Sequence, residues 1–233
     1  MKDLSYLRNN AFAHRGLFNR LYPENTMGAF KNAIDKNVGI ELDVHLLKDN
    51  TIVVFHDDNL KRMAGIDLKL RDVNYDDIKK IKIGNTKYTI PKLEDVLKLI
   101  DGKVPLIIEL KHDRRVGLLE NQIFKLLDRY NGWFCIKSFS PFHMRYVRKH
   151  RPDYIRGLLV LKKHTLFHSI ASNSLFFRLL VRPDFLSCQK YLYNKRYVKR
   201  FNKRKPILGW VIVNKAEMEF YKEVFDSIIF EVN

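Results

Sequence analysis

The sequence predicts a TIM (β/α)₈ barrel, an α/β fold in which eight parallel strands alternate with helices. Short apolar segments with the composition of strands alternate with amphipathic helical segments along the 233 residues, and this order is typical of a parallel sheet. Polar residues also gather where several of these strands end, which is where such barrels carry their chemistry. A doubly wound sheet is the alternative, and it explains this clustering less well.

Eight segments are predicted strands once one antiparallel arm is set aside. They are Phe12–Gly16, the first arm of Ile40–Asp57, Val104–Lys111, Phe134–Phe139, Ile155–Val160, Asp184–Gln189, Ile207–Val213 and Ser227–Val232. The helical segments are Met27–Lys36, Tyr75–Lys80, Pro91–Ile100, Leu118–Tyr130, Pro141–His150, Lys195–Lys203 and Ala216–Val224. Thr26 is a predicted N-cap, and Pro91 stands where proline favours a helix start. No linker divides the chain, so residues 1–233 are expected to form one domain.

The second strand carries the most informative side chains. Period-two alternation places Glu41, Asp43 and His45 on one face. The dipeptide Asp49-Asn50 lies between two β-rich runs and predicts a two-residue hairpin turn, which would set Asp43 opposite His56. Clustered carboxylates repel each other and lose solvation when buried, so a bound cation would stabilise them. A solvated polar face on an edge hairpin is the alternative.

A third carboxylate is expected beside the first two. Glu109 ends the next strand, so a barrel would bring it next to Glu41 and Asp43. Oxygen ligands of this kind suit a hard divalent cation, Mg²⁺ or Ca²⁺, that acts as a Lewis acid with positions open for water and substrate.

Two histidines and two basic residues flank the same predicted mouth. His14 and His56 could serve as general base and general acid near neutral pH, because histidine is the side chain best suited to both roles there. Arg15 and Lys111 suit phosphate oxygens. Taken alone, each residue has a structural explanation. Together they predict cleavage of a phosphodiester, because two histidines allow one proton to be removed while another is delivered.

The net charge of +17 is unevenly distributed. Lys137–Lys205 contains 18 Lys or Arg residues and two acids, so +16 of the charge lies there. This asymmetry favours a polyanionic partner: a membrane surface, a nucleic acid or a phosphorylated substrate. No recognised nucleic-acid motif accompanies the charge, so nucleic acid is not expected.

The sequence also predicts a cytoplasmic location. The N-terminus lacks the apolar core and cleavage site of a signal peptide, and no apolar run approaches the roughly 20 residues that span a bilayer. Cys135 and Cys188 lie in apolar segments without metal-type spacing, so two buried free thiols are expected.

One stretch inside the basic region suggests peripheral contact with the inner face of the membrane. His164–Leu180 is rich in Leu and Phe, follows the fifth strand and would therefore lie on the active-site face. Apolar residues beside a basic field are typical of an interfacial segment. The alternative is that these residues cover the outer layer of the barrel and that Lys195–Lys205 is a solvated helix.

Six short motifs in order resemble those of the glycerophosphodiester phosphodiesterase family. They are His14-Arg15-Gly16, Pro23-Glu24-Asn25-Thr26, Glu41-Leu42-Asp43, His56-Asp57, Pro91-Lys92-Leu93 and Glu109-Leu110-Lys111. Trp210-Val211-Ile212-Val213-Asn214 also resembles the late W-T-V-N strand of that family. The resemblance runs from about residue 11 to the C-terminus and is dense up to Lys111.

The resemblance implies a TIM barrel with a small inserted subdomain, at about residues 59–90, which the charged stretch Asn59–Tyr88 would supply. It implies a divalent metal on the triad, acid–base catalysis by His14 and His56, and substrate contacts from Arg15, Lys111 and Trp210. The implied reaction is hydrolysis of a glycerophosphodiester to an alcohol and glycerol 3-phosphate.

Two departures from the family pattern concern the substrate. The usual I-I-T-D ending is replaced by Ile228-Ile229-Phe230-Glu231, and His164–Leu180 is apolar where polar residues are expected. Two alternatives therefore stay open. One is a phospholipase D-type relative that acts on lysophospholipids or phospholipids at a membrane surface. The other is a catalytically inert barrel that binds anionic surfaces, although the intact histidine and carboxylate set disfavours it.

Overall fold

Eight parallel strands close into a barrel in the computed structural model, which describes residues 2–111, 115–161 and 175–231. The strands are β1 (Phe12–Ala13), β2 (Gly39–Leu46), β3 (Ile52–Val54), β4 (Leu106–Leu110), β5 (Phe134–Ser138), β6 (Arg156–Val160), β7 (Phe185–Gln189), β8 (Ile207–Ile212) and β9 (Ser227–Phe230). All except β3 pair in parallel, and β9 pairs with β1 to complete the circle. The predicted fold class is confirmed.

Helices follow most of the strands. They are α1 (Tyr6–Asn9), α2 (Met27–Asp35), α3 (Lys61–Ala64), α4 (Tyr75–Ile78), α5 (Leu93–Ile100), α6 (Leu118–Leu127), α7 (Pro141–His150), α8 (Leu175–Val181), α9 (Arg196–Asn202) and α10 (Lys215–Lys222). Thr26 caps α2 as predicted, because its hydroxyl accepts a hydrogen bond from the Ala29 amide. Ser140 does the same for α7 through the His143 amide. Helices α2 and α7 therefore each begin at a capping residue that ends the loop after the preceding strand.

The interior of the barrel has an apolar floor and a polar layer above it. The floor is formed by fully or almost fully buried side chains: Phe12, Ile107, Cys135, Ile155, Phe185, Leu208 and Ile229. Ile107 precedes Glu109 by two residues and Cys135 precedes Lys137 by two. Strand alternation therefore places these charged residues on the same inward face, one step nearer the carboxyl ends.

The segment between β3 and α5 has a small core of its own. Phe55, Leu60, Leu70, Val73, Ile78, Ile83 and Ile90 of this segment are buried together with Leu47 and Val53 of the β2–β3 hairpin. Helices α3 and α4 lie in this segment. Both cysteines are free and buried, as predicted. Among the described residues, no helix is long and apolar enough to cross a membrane.

The predicted register of the β2–β3 hairpin is wrong by one residue. Val44 pairs with Val54, and the Phe55 amide donates to the Asp43 carbonyl, so Phe55 stands opposite Asp43 in place of His56. The Leu47 amide donates to the Thr51 carbonyl, so the loop itself has three residues, 48–50, with Asn50 in the left-handed conformation at φ 64°. A turn followed by a left-handed residue is the usual three-residue hairpin loop, and asparagine tolerates that conformation well.

Candidate active site

Three buried carboxylates converge at the carboxyl end of the barrel. Asp43 of β2 pairs in register with Glu109 of β4, and Glu41 lies two residues earlier on the same inward face. One ligand oxygen from each of the three lies within 4.8 Å of the others. The predicted triad is therefore assembled by two adjacent strands, as the alternation along each strand requires.

Two lysine ammonium groups lie between these carboxylates. Lys111 Nζ is 2.8 Å from both Asp43 Oδ1 and Glu109 Oε1. Lys137 Nζ is 2.9 Å from Glu41 Oε1 and 3.4 Å from Glu109 Oε2. Lys111 was predicted at the site, but Lys137 was not. A signal for it was present, because a single charged residue in the middle of an apolar strand on the inward face must find a buried partner.

Opposite charges hold these buried groups in their ionised forms. Burial opposes the charge of Lys137, but Glu41 and Glu109 outweigh it and raise its pKa. The pKa of Lys111 is raised by the same balance between burial and its two carboxylate neighbours. Burial likewise opposes the charges of Asp43 and Glu109, yet the Lys111 ammonium keeps the pKa of each below its ordinary value.

The oxygens of the triad are incompletely satisfied, and this fits a divalent cation. Glu41 Oε1 and Asp43 Oδ1 are buried and lie within ion-pair distance of an ammonium group, but neither accepts a hydrogen bond of ordinary geometry from the described residues. A buried carboxylate oxygen normally has such a donor. Hard carboxylate oxygens left in this state are suitable ligands for Mg²⁺ or Ca²⁺.

His14 follows β1 and is held by the last part of the chain. Its Nδ1 makes a short contact with Glu231 Oε1, and its Nε2 lies 4.0 Å from Glu41 Oε2. The hydrogen bond with His14 lowers the pKa of Glu231. With Nδ1 bound to Glu231, the imidazole presents Nε2 to the carboxylate triad. Position 231 is a glutamate where the family ending has an aspartate, and the longer side chain of Glu231 contacts Nδ1 of a candidate catalytic histidine.

His56 is likewise held by a carboxylate. Its Nδ1 is 2.6 Å from Asp57 Oδ1, and its carbonyl lies 3.2 Å from His45 Nε2. Arg62 in turn donates to Asp57 Oδ2 at 2.6 Å. His45, predicted on the same face as the triad, thus contacts the backbone of His56 while the triad forms without it.

Arg15 is fixed beside the triad by two carboxylates. Its Nη1 donates to Glu24 Oε1 at 2.7 Å, and its Nε is 3.6 Å from Asp43 Oδ2. Burial opposes the charge of this guanidinium, but the carboxylates raise its pKa. Asn25 adds a hydrogen bond of 2.9 Å to Asp43 Oδ2. The Pro23–Thr26 motif therefore orients both a triad member and a candidate phosphate contact, a role that sequence reasoning did not give it.

Trp210 lies on the inward face of β8, two residues after Leu208 of the apolar floor. Its ring packs edge to face against Phe139 with centroids 6.0 Å apart. The buried indole Nε1 has no hydrogen-bond partner among the described residues. The predicted substrate-binding residue therefore carries an unused donor at the carboxyl end of its strand.

The fold and this cluster define a class, the TIM barrels with an acidic metal-type centre at the carboxyl ends of their strands. Within it, the chain belongs to the glycerophosphoryl diester phosphodiesterase family, whose model matches residues 14–227.

Individual relatives agree with this assignment. A glycerophosphodiester phosphodiesterase of Bacillus altitudinis is 37% identical over 121 residues, or 49% of this chain and 46% of that protein. One of Caldanaerobacter subterraneus subsp. tengcongensis is 34% identical over 168 residues, or 66% of this chain and 67% of that protein. The chain thus spans about half to two thirds of these relatives.

A solved structure matches the fold more completely. An Oleispira antarctica phosphodiesterase in complex with the product sn-glycerol-3-phosphate superposes with a TM-score of 0.85 and 20% identity, over 97% of this chain and 94% of that one. At this identity the likeness is one of fold.

Proposed function

We propose that this protein is a metal-dependent phosphodiesterase that hydrolyses glycerophosphodiesters to an alcohol and glycerol 3-phosphate. The observation that carries the proposal is the incompletely satisfied triad of Glu41, Asp43 and Glu109, flanked by two histidines whose Nδ1 atoms are each bound to a carboxylate. Family membership and the glycerol 3-phosphate in the Oleispira antarctica structure support the same substrate class.

The two histidines are the proposed proton-transfer pair. One imidazole Nε2 accepts a proton from the attacking water, whose oxygen forms a bond to phosphorus. The bond between phosphorus and the leaving alcohol breaks, and the other imidazole donates a proton to that oxygen. Glu231 and Asp57 keep His14 and His56 in orientations that present Nε2 to the site.

Glu41, Asp43 and Glu109 would hold the divalent cation. A bound Mg²⁺ or Ca²⁺ would polarise a phosphoryl oxygen and reduce the charge that builds up during attack. Arg15 and Lys111 lie close enough to the triad to contact the remaining phosphate oxygens, and Trp210 offers its free indole N–H to the glycerol or phosphate portion.

A side-by-side substrate assay tests the proposal. Protein stripped with chelator and verified metal-free would be incubated with glycerophosphocholine, glycerophosphoethanolamine or lysophosphatidylcholine, with and without Mg²⁺ or Ca²⁺. We expect glycerol 3-phosphate from the first two substrates only when the cation is present. Full turnover by the metal-free protein would disprove metal dependence, and no turnover of any substrate would favour the inert barrel.

Exposed apolar residues at the mouth favour a second candidate, action on lysophospholipids or phospholipids at a membrane. Leu21, Phe142, Tyr191 and Val213 are 72%, 49%, 60% and 50% exposed. Leu21, Tyr191 and Val213 follow β1, β7 and β8, and Phe142 is the second residue of α7, which follows β5, so all four lie beyond the carboxyl ends of strands. Such residues, together with the basic region, would suit a surface of anionic lipid. Residues 164–174 of the apolar segment His164–Leu180 lie outside the described residues.

Co-sedimentation with vesicles separates the two candidates. The protein would be mixed with anionic or zwitterionic vesicles at low and high salt, and the variant Leu21→Ser/Phe142→Ser would serve as the comparison. Peripheral action at the cytoplasmic face of the membrane predicts binding to anionic vesicles that weakens with salt and with the variant. No binding at low salt would leave small soluble diesters as the proposed substrates.

A further inference from the structure

Lys137 is a buried lysine whose described partners are two of the candidate metal ligands. It is the last residue but one of β5 and is 2% exposed. Its ammonium contacts Glu41 Oε1 at 2.9 Å and Glu109 Oε2 at 3.4 Å. Among the described residues, no other Lys or Arg side chain lies within ion-pair distance of Glu41. The charge on Glu41 is therefore compensated chiefly by Lys137.

Three cationic groups already lie beside the three carboxylates of the triad, and one of them, Arg15, is shared with Glu24. Glu41, Asp43 and Glu109 carry three negative charges, and the cationic groups of Lys111, Lys137 and Arg15 lie within 4.0 Å of at least one of them. A divalent cation added to this arrangement would bring two positive charges beside an ammonium group in a site with little water. Like charges at such short range repel strongly in a low-dielectric environment.

We propose that Lys137 is a competing cation that sets the affinity of the site for its divalent ion. Its ammonium holds the oxygens of Glu41 and Glu109 when the ion is absent and must release them, or share them with the ion, when it binds. Lys111 differs because it also contacts Asp43 and lies at the open end of β4, whereas Lys137 approaches the triad from within the barrel wall. This inference rests on the metal centre of the proposed function and adds a residue that tunes it.

The arrangement predicts opposite effects on metal affinity and on the metal-free protein. Without the ammonium group, the ion no longer meets a competing positive charge, so it should bind more tightly. The metal-free protein should become less stable, because three carboxylates then share fewer cations. A lysine that only filled space would change neither metal affinity nor the stabilisation that the ion gives.

Calorimetric titration with CaCl₂ and MgCl₂ tests the inference on the full chain. The proteins would be chelator-stripped wild type, Lys137→Gln and Lys137→Met, the last of which preserves the length of the side chain if Gln is poorly tolerated. Lys190→Gln is the matched control, because Lys190 is also a buried lysine and lies 2.6 Å from both oxygens of Glu217. Thermal unfolding of each protein would be recorded with and without Ca²⁺.

We expect the dissociation constant for the ion to fall at least about tenfold in both Lys137 variants and to stay at the wild-type value in Lys190→Gln. We also expect Ca²⁺ to raise the melting temperature of the Lys137 variants more than that of wild type. Equal or weaker binding by a folded Lys137 variant would overturn the inference, as would the absence of binding by wild type and variants alike. A wild-type protein that binds Ca²⁺ but hydrolyses no glycerophosphodiester would contradict the proposed substrate and leave this affinity comparison decisive.

Discussion

Two regions of the barrel bury a carboxylate beside an imidazole, and they differ in how completely the carboxylate is satisfied. Between α6 and α7, Glu120 and His143 are fully buried, with Glu120 Oε1 2.6 Å from His143 Nδ1 and Glu120 Oε2 2.8 Å from the Gly117 amide. At the mouth, Glu41 Oε1 and Asp43 Oδ1 accept no ordinary hydrogen bond from the described residues. An imidazole and a backbone amide satisfy the structural carboxylate, whereas at the mouth these oxygens are held by ammonium groups, Lys137 at 2.9 Å and Lys111 at 2.8 Å, whose place a divalent cation can take.

The largest expected effect is the loss of activity when a triad carboxylate is removed. Glu41→Ala or Asp43→Ala should lower kcat for glycerophosphocholine at least about 10³-fold, because a bound cation supplies several kcal/mol of transition-state stabilisation. Because Glu41→Ala leaves the buried ammonium of Lys137 with Glu109 as its remaining described partner, the variants should be less stable than wild type, and kcat is therefore expressed per folded molecule. Steady-state kinetics with saturating Mg²⁺ or Ca²⁺, together with circular dichroism, measures both. A folded variant with near wild-type kcat would show that these carboxylates hold no ion needed for the reaction.

The histidines at the mouth should act mainly in the transition state. His14→Ala and His56→Ala should each lower kcat about 10²–10⁴-fold with little change in KM, as is typical of general acid–base groups. The double variant should lose less than the product of the two single losses if both residues serve one proton-transfer sequence. Near wild-type kcat in either single variant would assign that histidine a structural role, like that of His143.

The difference between the two regions also explains which parts of the site could be predicted from the sequence. The triad follows from period-two alternation on adjacent strands, which is a local rule that the barrel preserves. The hairpin register could not be obtained that way, because it depends on whether Asn50 adopts the left-handed conformation, and the sequence Asp49-Asn50 is compatible with loops of two or three residues.

Partners from distant parts of the chain were the least predictable. Lys137 of β5 contacts Glu41 of β2 across the intervening strand β4. Glu231 contacts His14 because β9 pairs with β1 when the barrel closes. Neither contact has a signature in spacing. The one clue to Lys137 was its charge within an apolar strand, and the one clue to Glu231 was its departure from the family ending.

Disruption of the Glu120–His143 pair between α6 and α7 should lower the unfolding free energy and leave kcat unchanged. Glu120→Ala removes the acceptor for both His143 and the Gly117 amide and leaves them buried, which should cost about 3 kcal/mol of unfolding free energy. Urea denaturation measures this cost, and kcat per folded molecule should match wild type. A tenfold loss of kcat at full folding would contradict the structural assignment of this pair.

The smallest expected effect comes from a hydrogen-bonded cluster at the protein surface. Its effect on the unfolding free energy, compared with that of the buried Glu120–His143 pair, shows how much burial contributes. Asp128 accepts hydrogen bonds from Arg151 at 2.9 and 2.6 Å and from the Tyr154 hydroxyl at 2.6 Å. The hydrogen bonds from Arg151 are the main cause that lowers the pKa of Asp128 from its ordinary value of 3.8 to about 2. Because water screens this exposed cluster, Asp128→Asn should lower the unfolding free energy at neutral pH by no more than about 1 kcal/mol.

The difference in unfolding free energy between wild type and Asp128→Asn should depend on pH, and this dependence tests the contribution of the Asp128 charge more directly. A carboxyl group with a lower pKa in the folded state stabilises the protein above its unfolded pKa and loses that contribution as the pH falls through its folded pKa. The gap in unfolding free energy between wild type and Asp128→Asn should therefore be constant above about pH 4 and should close between pH 4 and pH 2. Denaturant titrations at intervals across this range measure the gap, with the exposed pair variant Glu94→Gln at Lys98 as a control for general surface charge. A gap that persists unchanged at pH 2 would mean that Asp128 stabilises the fold through hydrogen-bond geometry alone, with no contribution from its charge.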